Sequence, residues 1–120
     1  MKVRILFILV RSFFLFSLLA QQNKPVILGL LIQDKTFLAA KQGAELAVRQ
    51  ANEKGGIHGQ PVKLVVRSME GPWGTGSKQA INLIFEENVW ALLGSHDGRN
   101  AHLVEQAATK STVVYVSAWS

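Results

Sequence analysis

Three segments gather side chains that could do chemistry. Ser95-His96-Asp97 holds the residue types of a hydrolytic triad, but immediate neighbours cannot aim their side chains at one another as a triad requires. A nucleophile elbow needs serine two residues after the first glycine, whereas Gly94-Ser95-His96-Asp97-Gly98 puts it directly after. The run Gly71-Pro72-Trp73-Gly74-Thr75-Gly76-Ser77-Lys78 approaches a phosphate-binding loop and ends Ser-Lys instead of Lys-Ser. That order moves the amine off the phosphates and removes the hydroxyl that would hold magnesium. It also lacks the dinucleotide fingerprint, since Gln79 stands where a third glycine belongs. His58, His96 and His102 are not spaced to share a helical face, and with Asp97 they fall short of a convincing three-ligand metal site. The sequence therefore predicts no enzyme, no nucleotide or other cofactor, and no metal.

A different chemistry fits the same loop better. Ser95, His96, Asp97, Gly98, Arg99 and Asn100 crowd a polar turn that leads into a helical pattern. Free N–H groups and the positive dipole end of a helix favour an anionic group such as a carboxylate. Arg99 could add a bidentate contact, while Asp97 could equally serve as an ordinary N-cap.

The elements that must position this loop can be read from periodicity. Val26 to Ile32 is a continuous apolar run, as in a strand buried on both faces. A helical repeat of Ala40, Ala44, Ala47, Val48 and Ala51 spans about residues 37–54 and stops at Gly55-Gly56. Gly59-Gln60-Pro61 makes a turn into a strand over Val62 to Val66. Ser68 to Gly76 reads as a loop. A second helix is expected over Ser77 to Asn88, burying Ala80, Ile81, Ile84 and Phe85, and a strand over Val89 to Leu93. Arg99 to Lys110 reads as a third helix with Ala101, Val104, Ala107 and Ala108 inward, and Thr112 to Ser117 as a fourth strand. This β-α-β-α-β-α-β order implies an α/β fold, an open and mostly parallel sheet with helices on both faces. Ligands of such sheets bind beyond the carboxyl ends of the strands, here residues 33–38, 69–75, 95–100 and 118–120.

Charge and composition narrow the partners. The net charge is +5, but Lys2, Arg4 and Arg11 carry three of those charges within the first twenty residues. The remaining ten basic residues oppose eight acidic ones and are scattered, without the clustered footprint that nucleic acid demands. The sequence has no cysteine, which excludes disulfides, thiolate metal sites and a lipoprotein anchor. Lys2 and Arg4, then apolar Ile5 to Val10 and Phe13 to Ala20, then polar Gln21 to Pro25, form the layout of a secretory signal peptide over residues 1–20. The stretch is short for a bilayer span and carries Arg11 in its middle, so membrane contact is expected only through an uncleaved leader.

Beyond the leader, the sequence resembles a known family. Gly43-Ala44-Glu45-Leu46-Ala47-Val48, followed by Ala51-Asn52-Glu53-Lys54-Gly55-Gly56-Ile57-His58-Gly59-Gln60-Pro61-Val62-Lys63-Leu64, is similar to the first helix and second strand of branched-chain amino acid binding proteins. These are type I periplasmic solute-binding proteins of ABC transporters, with the pattern GA-x-LAV-x-x-IN-x-x-GGI-x-G-x-P-V-x-L. Ala91-Leu92-Leu93-Gly94 and Tyr115-Val116-Ser117 fit the same scheme.

The resemblance implies a hinged, two-lobed protein that closes on an amino acid or similar small solute and delivers it to a permease. On that scheme residues 21–120 are a partial first lobe, truncated before the second. Ser95 to Asn100 together with Ser117, Trp119 and Ser120 would hold the ligand; Lys35, Thr36, Phe37 and Trp73 would border the pocket. The loop Ser-His-Asp-Gly-Arg-Asn is less rich in serine and threonine than in relatives, and Arg99 with His96 suits a more polar or acidic solute. A sensory receptor domain of the same fold, or a periplasmic accessory of an enzyme system, is the alternative. The leader gives the first test. The mature amino terminus of the exported product is expected near Gln21, and a secreted product retaining Met1 would refute the signal peptide.

Overall fold

The structure, a computed structural model, describes residues 24–36, 38–94 and 98–117. Seven elements alternate along the chain: β1 (Val26–Ile32), α1 (Leu38–Glu53), β2 (Val62–Ser68), α2 (Thr75–Phe85), β3 (Ala91–Gly94), α3 (Gly98–Lys110) and β4 (Val114–Val116). The strands form one parallel sheet in the order β2-β1-β3-β4. β1 is central, in register with β2 from Val26↔Val62 to Ile32↔Ser68 and with β3 from Leu28↔Ala91 to Leu31↔Gly94. Its apolar run follows from that place, because parallel strands are covered on both faces.

Alternation along the strands divides the core. Leu31, Val65 and Leu92 pack with Ala80, Leu83 and Ile84 of α2 and Val104 and Ala108 of α3 in one buried cluster. The opposite face, with Leu28, Leu64 and Leu93, looks onto Ala44, Ala47, Val48 and Ala51 of α1 across an apolar cavity of about 180 Å³. Helices thus lie on both faces, as expected, with very different closeness. α1 has no buried residue, because its inward alanines are too short to interdigitate with the sheet.

The helical phase of α2 differs from the sequence reading. Ala80 and Ile84 are buried as expected, but so is Leu83, while Ile81 is 44% and Phe85 66% exposed. With 3.6 residues per turn, an apolar stripe as wide as Ala80, Ile81, Leu83, Ile84 and Phe85 cannot all face the sheet. The sheet takes the Ala80-Leu83-Ile84 side. Several boundaries also move. β2 runs on to Ser68, and Met69 beyond it is buried. α2 begins two residues early, at Thr75, and ends at Phe85. Glu86 and Glu87 with Asn88, at φ 53, turn the chain towards β3.

Backbone hydrogen bonds explain the sharp ends. α1 closes in a Schellman motif, with Gly56 N donating to Ala51 O (2.9 Å) and Gly55 N to Asn52 O (3.0 Å), Gly55 at φ 97. Ile57 and Gln60 then exchange N–H···O bonds of 2.9 Å around His58 (φ 50) and Gly59 (φ 77). Two successive positive φ angles make this a tight type I′ turn. Asn52 clamps the result: its Nδ2 donates to Val62 O (2.9 Å) and its Oδ1 accepts from Val62 N (2.7 Å). The motif residues of the sequence comparison therefore have a concrete task, joining α1 to β2.

α3 ends the same way, with Thr112 N donating to Thr109 O (3.2 Å) and Val113 N to Ala108 O (3.0 Å). This exit occupies Thr112 and Val113, so β4 starts at Val114 and not at Thr112 as read from the sequence. The left-handed position falls on a β-branched residue, Thr112 at φ 57, where glycine is usual. An L-residue there costs roughly 1–2 kcal/mol. Thr112→Gly is accordingly expected to raise stability by about 1 kcal/mol, measured by urea denaturation. An unchanged or lower midpoint would show that Thr112 is not strained.

Candidate functional site

A parallel sheet in the order β2-β1-β3-β4 has one place where successive connections leave in opposite directions. α1 carries the chain from β1 outward to β2 on one face, and α2 carries it back across to β3 on the other. The crevice between the carboxyl ends of β1 and β3 is therefore the topological switch point, where open α/β sheets bind ligands. The sequence-predicted residues of the loops after β1, β3 and β4 all belong to this edge by their place in the chain.

The two strands meet tightly there. A Cβ on Gly94, the last residue of β3, would stand 2.1 Å from the carbonyl oxygen of Leu31, and Gly94 has φ 108. Only glycine satisfies both conditions. The Gly94 carbonyl accepts a 3.0 Å hydrogen bond from the Tyr115 hydroxyl of β4, which fixes the peptide leading into the next loop. Tyr115 was not among the candidate residues; nothing in the sequence marks a hydroxyl that reaches the neighbouring strand. On the β1 side, Asp34 Oδ1 accepts from Thr36 N (2.7 Å) and from the Thr36 hydroxyl. This Asx-type turn holds exposed Lys35 and Thr36 at the crevice mouth. Asp34 also escaped the sequence reading, although its spacing from Thr36 is the signal for such a turn.

The remaining candidates distribute unevenly. Gly98, Arg99 and Asn100 form the first turn of α3, which carries no acidic residue. α2 likewise opens without an acid, from Gly74 at φ 92 with no side-chain cap. Two helix N-termini, neither with an acidic residue in its first turn, thus bring positive dipole ends to one edge of the sheet, as an anionic group would require. They touch through Asn100, because a Cβ on Gly76 of α2 would lie 2.9 Å from Asn100 Oδ1 and 3.1 Å from Met69 Sδ. Ser117, half-buried, follows β4 on the same edge. Trp73 is 83% exposed on the turn after β2, the outer strand, on the far side of β1 from the crevice. That turn is held by Thr75, whose backbone N and hydroxyl both donate to Pro72 O, at 3.1 and 2.6 Å. Phe37, Ser95, His96, Asp97, Trp119 and Ser120 lie outside the described residues, as does the leader over residues 1–20.

Among the described residues no group of His, Asp and Glu could hold a metal ion, and no helix is long and apolar enough to cross a membrane. His102 lies on an exposed part of α3, with its Nδ1 4.0 Å from Glu105 and its Nε2 3.0 Å from Gln106. The glycines test the geometry. Gly94→Ala is expected to cost about 3 kcal/mol or more, since φ and the Leu31 backbone both resist it. Gly76→Ala meets only flexible side-chain ends and should stay within about 1 kcal/mol of the parent in denaturant titrations. Equal losses at both sites would contradict the tight β1–β3 contact.

The comparisons with known proteins agree with this arrangement. The structure matches LivJ, the branched-chain amino acid transporter substrate-binding protein of Streptococcus pneumoniae solved with isoleucine. The TM-score is 0.72 at 24% identity, over 78% of this chain and 28% of LivJ. It matches an ABC transporter substrate-binding protein of Desulfitobacterium hafniense in complex with Leu at TM-score 0.69 and 21% identity, over 80% and 29% of the two chains. The leucine-binding protein LivK of Thermotoga maritima follows at 0.59 and 20%, over 76% and 26%. The chain thus spans less than a third of the length of each of these proteins. No curated protein matches it by sequence. The family model described as periplasmic binding protein matches residues 33–120. With the helix-turn-strand motif and β3 inside that range, the chain belongs to the periplasmic binding protein family.

Proposed function

We propose that this chain is the solute-capturing front of an extracytoplasmic binding component of an ABC import system, acting on an amino acid or a similar small polar solute. The observation that carries the reading is the crevice between β1 and β3. A glycine-dependent strand contact, two acid-free helix N-termini and the polar turn at Asp34–Thr36 converge on one edge of the sheet. Such an edge offers hydrogen-bond donors to a carboxylate, in keeping with a family of solute binders. In this reading Arg99 and His96 bias the site towards polar or acidic side chains, while the backbone of the loop after Gly94 holds the carboxylate. The partner is a membrane permease, and export by the leader places the protein in the periplasm.

The 120 residues furnish one wall of such a crevice, and closure requires a second lobe opposite it. Binding proteins of this kind owe their affinity to enclosing the ligand from both sides, which strengthens every polar contact by excluding water. The half-site is therefore expected to bind weakly. Isothermal titration of the 120-residue chain with leucine, isoleucine and glutamate should give no saturable heat in the micromolar range. The native product is expected to be longer than 120 residues and to bind one of these solutes with a Kd in that range. Micromolar binding by the short chain alone would sink the two-wall reading. A long native product that binds none of the amino acids would sink the assignment of solute class.

A further inference from the structure

The apolar stripe of α2 is wider than the sheet covers, and its surplus has a definite shape. Ile81 and Phe85, four residues apart, stand one above the other on the outer side of the helix, 44% and 66% exposed. Beside them α3 runs parallel to α2, since both helices return antiparallel to the same parallel strands. Between the two helices lies a groove of about 310 Å³, with Ile81 and Phe85 on one wall and Leu103 and Ala107 on the other. Both walls are elements inside the chain, and the groove opens on the side of the helical layer turned away from the sheet. A further right-handed crossover from β4 would lay its helix on the far side of α3 from α2, so the groove does not owe its openness to a missing neighbour in the sheet. Two exposed charges flank the apolar pair on α2: Lys78 lies three residues before Ile81, and Glu86 directly after Phe85.

We propose that the α2–α3 groove docks a second copy of this chain, about a two-fold axis that sets the two α2 helices antiparallel. A two-fold contact uses one patch twice, so the patch must complement itself. This one carries both halves: Ile81 and Phe85 project, and the groove beside them receives. Charge then selects the direction. In an antiparallel pair Ile81 of each copy meets Phe85 of the other, and Lys78 comes opposite Glu86, each contact made twice. A parallel pair would set Lys78 against Lys78 and Glu86 against Glu86. Exposed ion pairs are weak, so these charges fix direction and register, while burial of Ile81 and Phe85 from both copies supplies the attraction.

The native product is the material for the test. Sedimentation equilibrium should show a dimer whose dissociation constant rises by roughly tenfold or more in Phe85→Gln. The position is exposed, and circular dichroism would verify that the variant keeps the fold. Lys78→Glu should weaken the dimer by roughly threefold or more, and Lys78→Glu/Glu86→Lys should recover it, because only the antiparallel register restores both ion pairs on the swap. A monomer at every concentration, including one that assembles at this face only with a different protein, would overturn the proposal. So would a dimer indifferent to Phe85→Gln, or a double swap no better than Lys78→Glu alone. Solute titrations of the same variants should match the parent, so loss of the dimer and loss of binding at the β1–β3 crevice are separate results.

Discussion

The contact between the last residue of β3 and the backbone of β1 governs how the candidate site is built. Gly94 rests against Leu31 so closely that a single added carbon would collide with the Leu31 carbonyl. Because the two strands close at that point, the carboxyl ends of β1 and β3 lie side by side. Tyr115 secures the arrangement from the third strand along, by holding the Gly94 carbonyl. The loss of side-chain volume at one residue is thus exchanged for a fixed backbone geometry where a ligand must be held.

Rigidity is spread unevenly around this contact. Below it, α2 and α3 pack through Leu83, Leu92 and Val104, all fully buried, and close-packed interiors of that kind resist deformation. On the other face, α1 lies over the sheet on alanines, leaves a cavity and buries none of its own side chains. Its attachment depends instead on its ends, above all on Asn52, which pairs with both backbone groups of Val62. The face beside α1, over β3 and β4, is apolar and open.

The same unevenness separates the parts of the site. The turn at Asp34–Thr36 and the turn that opens α2 are ordered by local hydrogen bonds. Trp73, although aromatic and held on a stiff turn, stands beyond β1 on the outer strand and away from the crevice. Two residues that look equally suited to a ligand in the sequence therefore occupy different parts of the surface. Asn100 is the intermediate case, set at the start of α3 but turned against Gly76 of the neighbouring helix.

The sequence by itself determined the order and type of all seven elements, because each depends on local signals. Apolar runs mark strands buried on both faces, the alanine repeat marks α1, and Gly55-Gly56 with His58-Gly59 demands positive φ wherever the chain folds. It also determined that the sheet is parallel, since alternating strands and helices leave room for little else. Tertiary structure alone decided which side of α2 is core, since a stripe of five apolar residues is wider than the sheet can cover. It decided that Thr112 must take the left-handed angle that ends α3, and that Tyr115 reaches Gly94. It also set Trp73 apart from the crevice, through a strand order that no periodicity encodes. These features depend on which strands become neighbours, and that is settled by long-range packing instead of by the residues next in line.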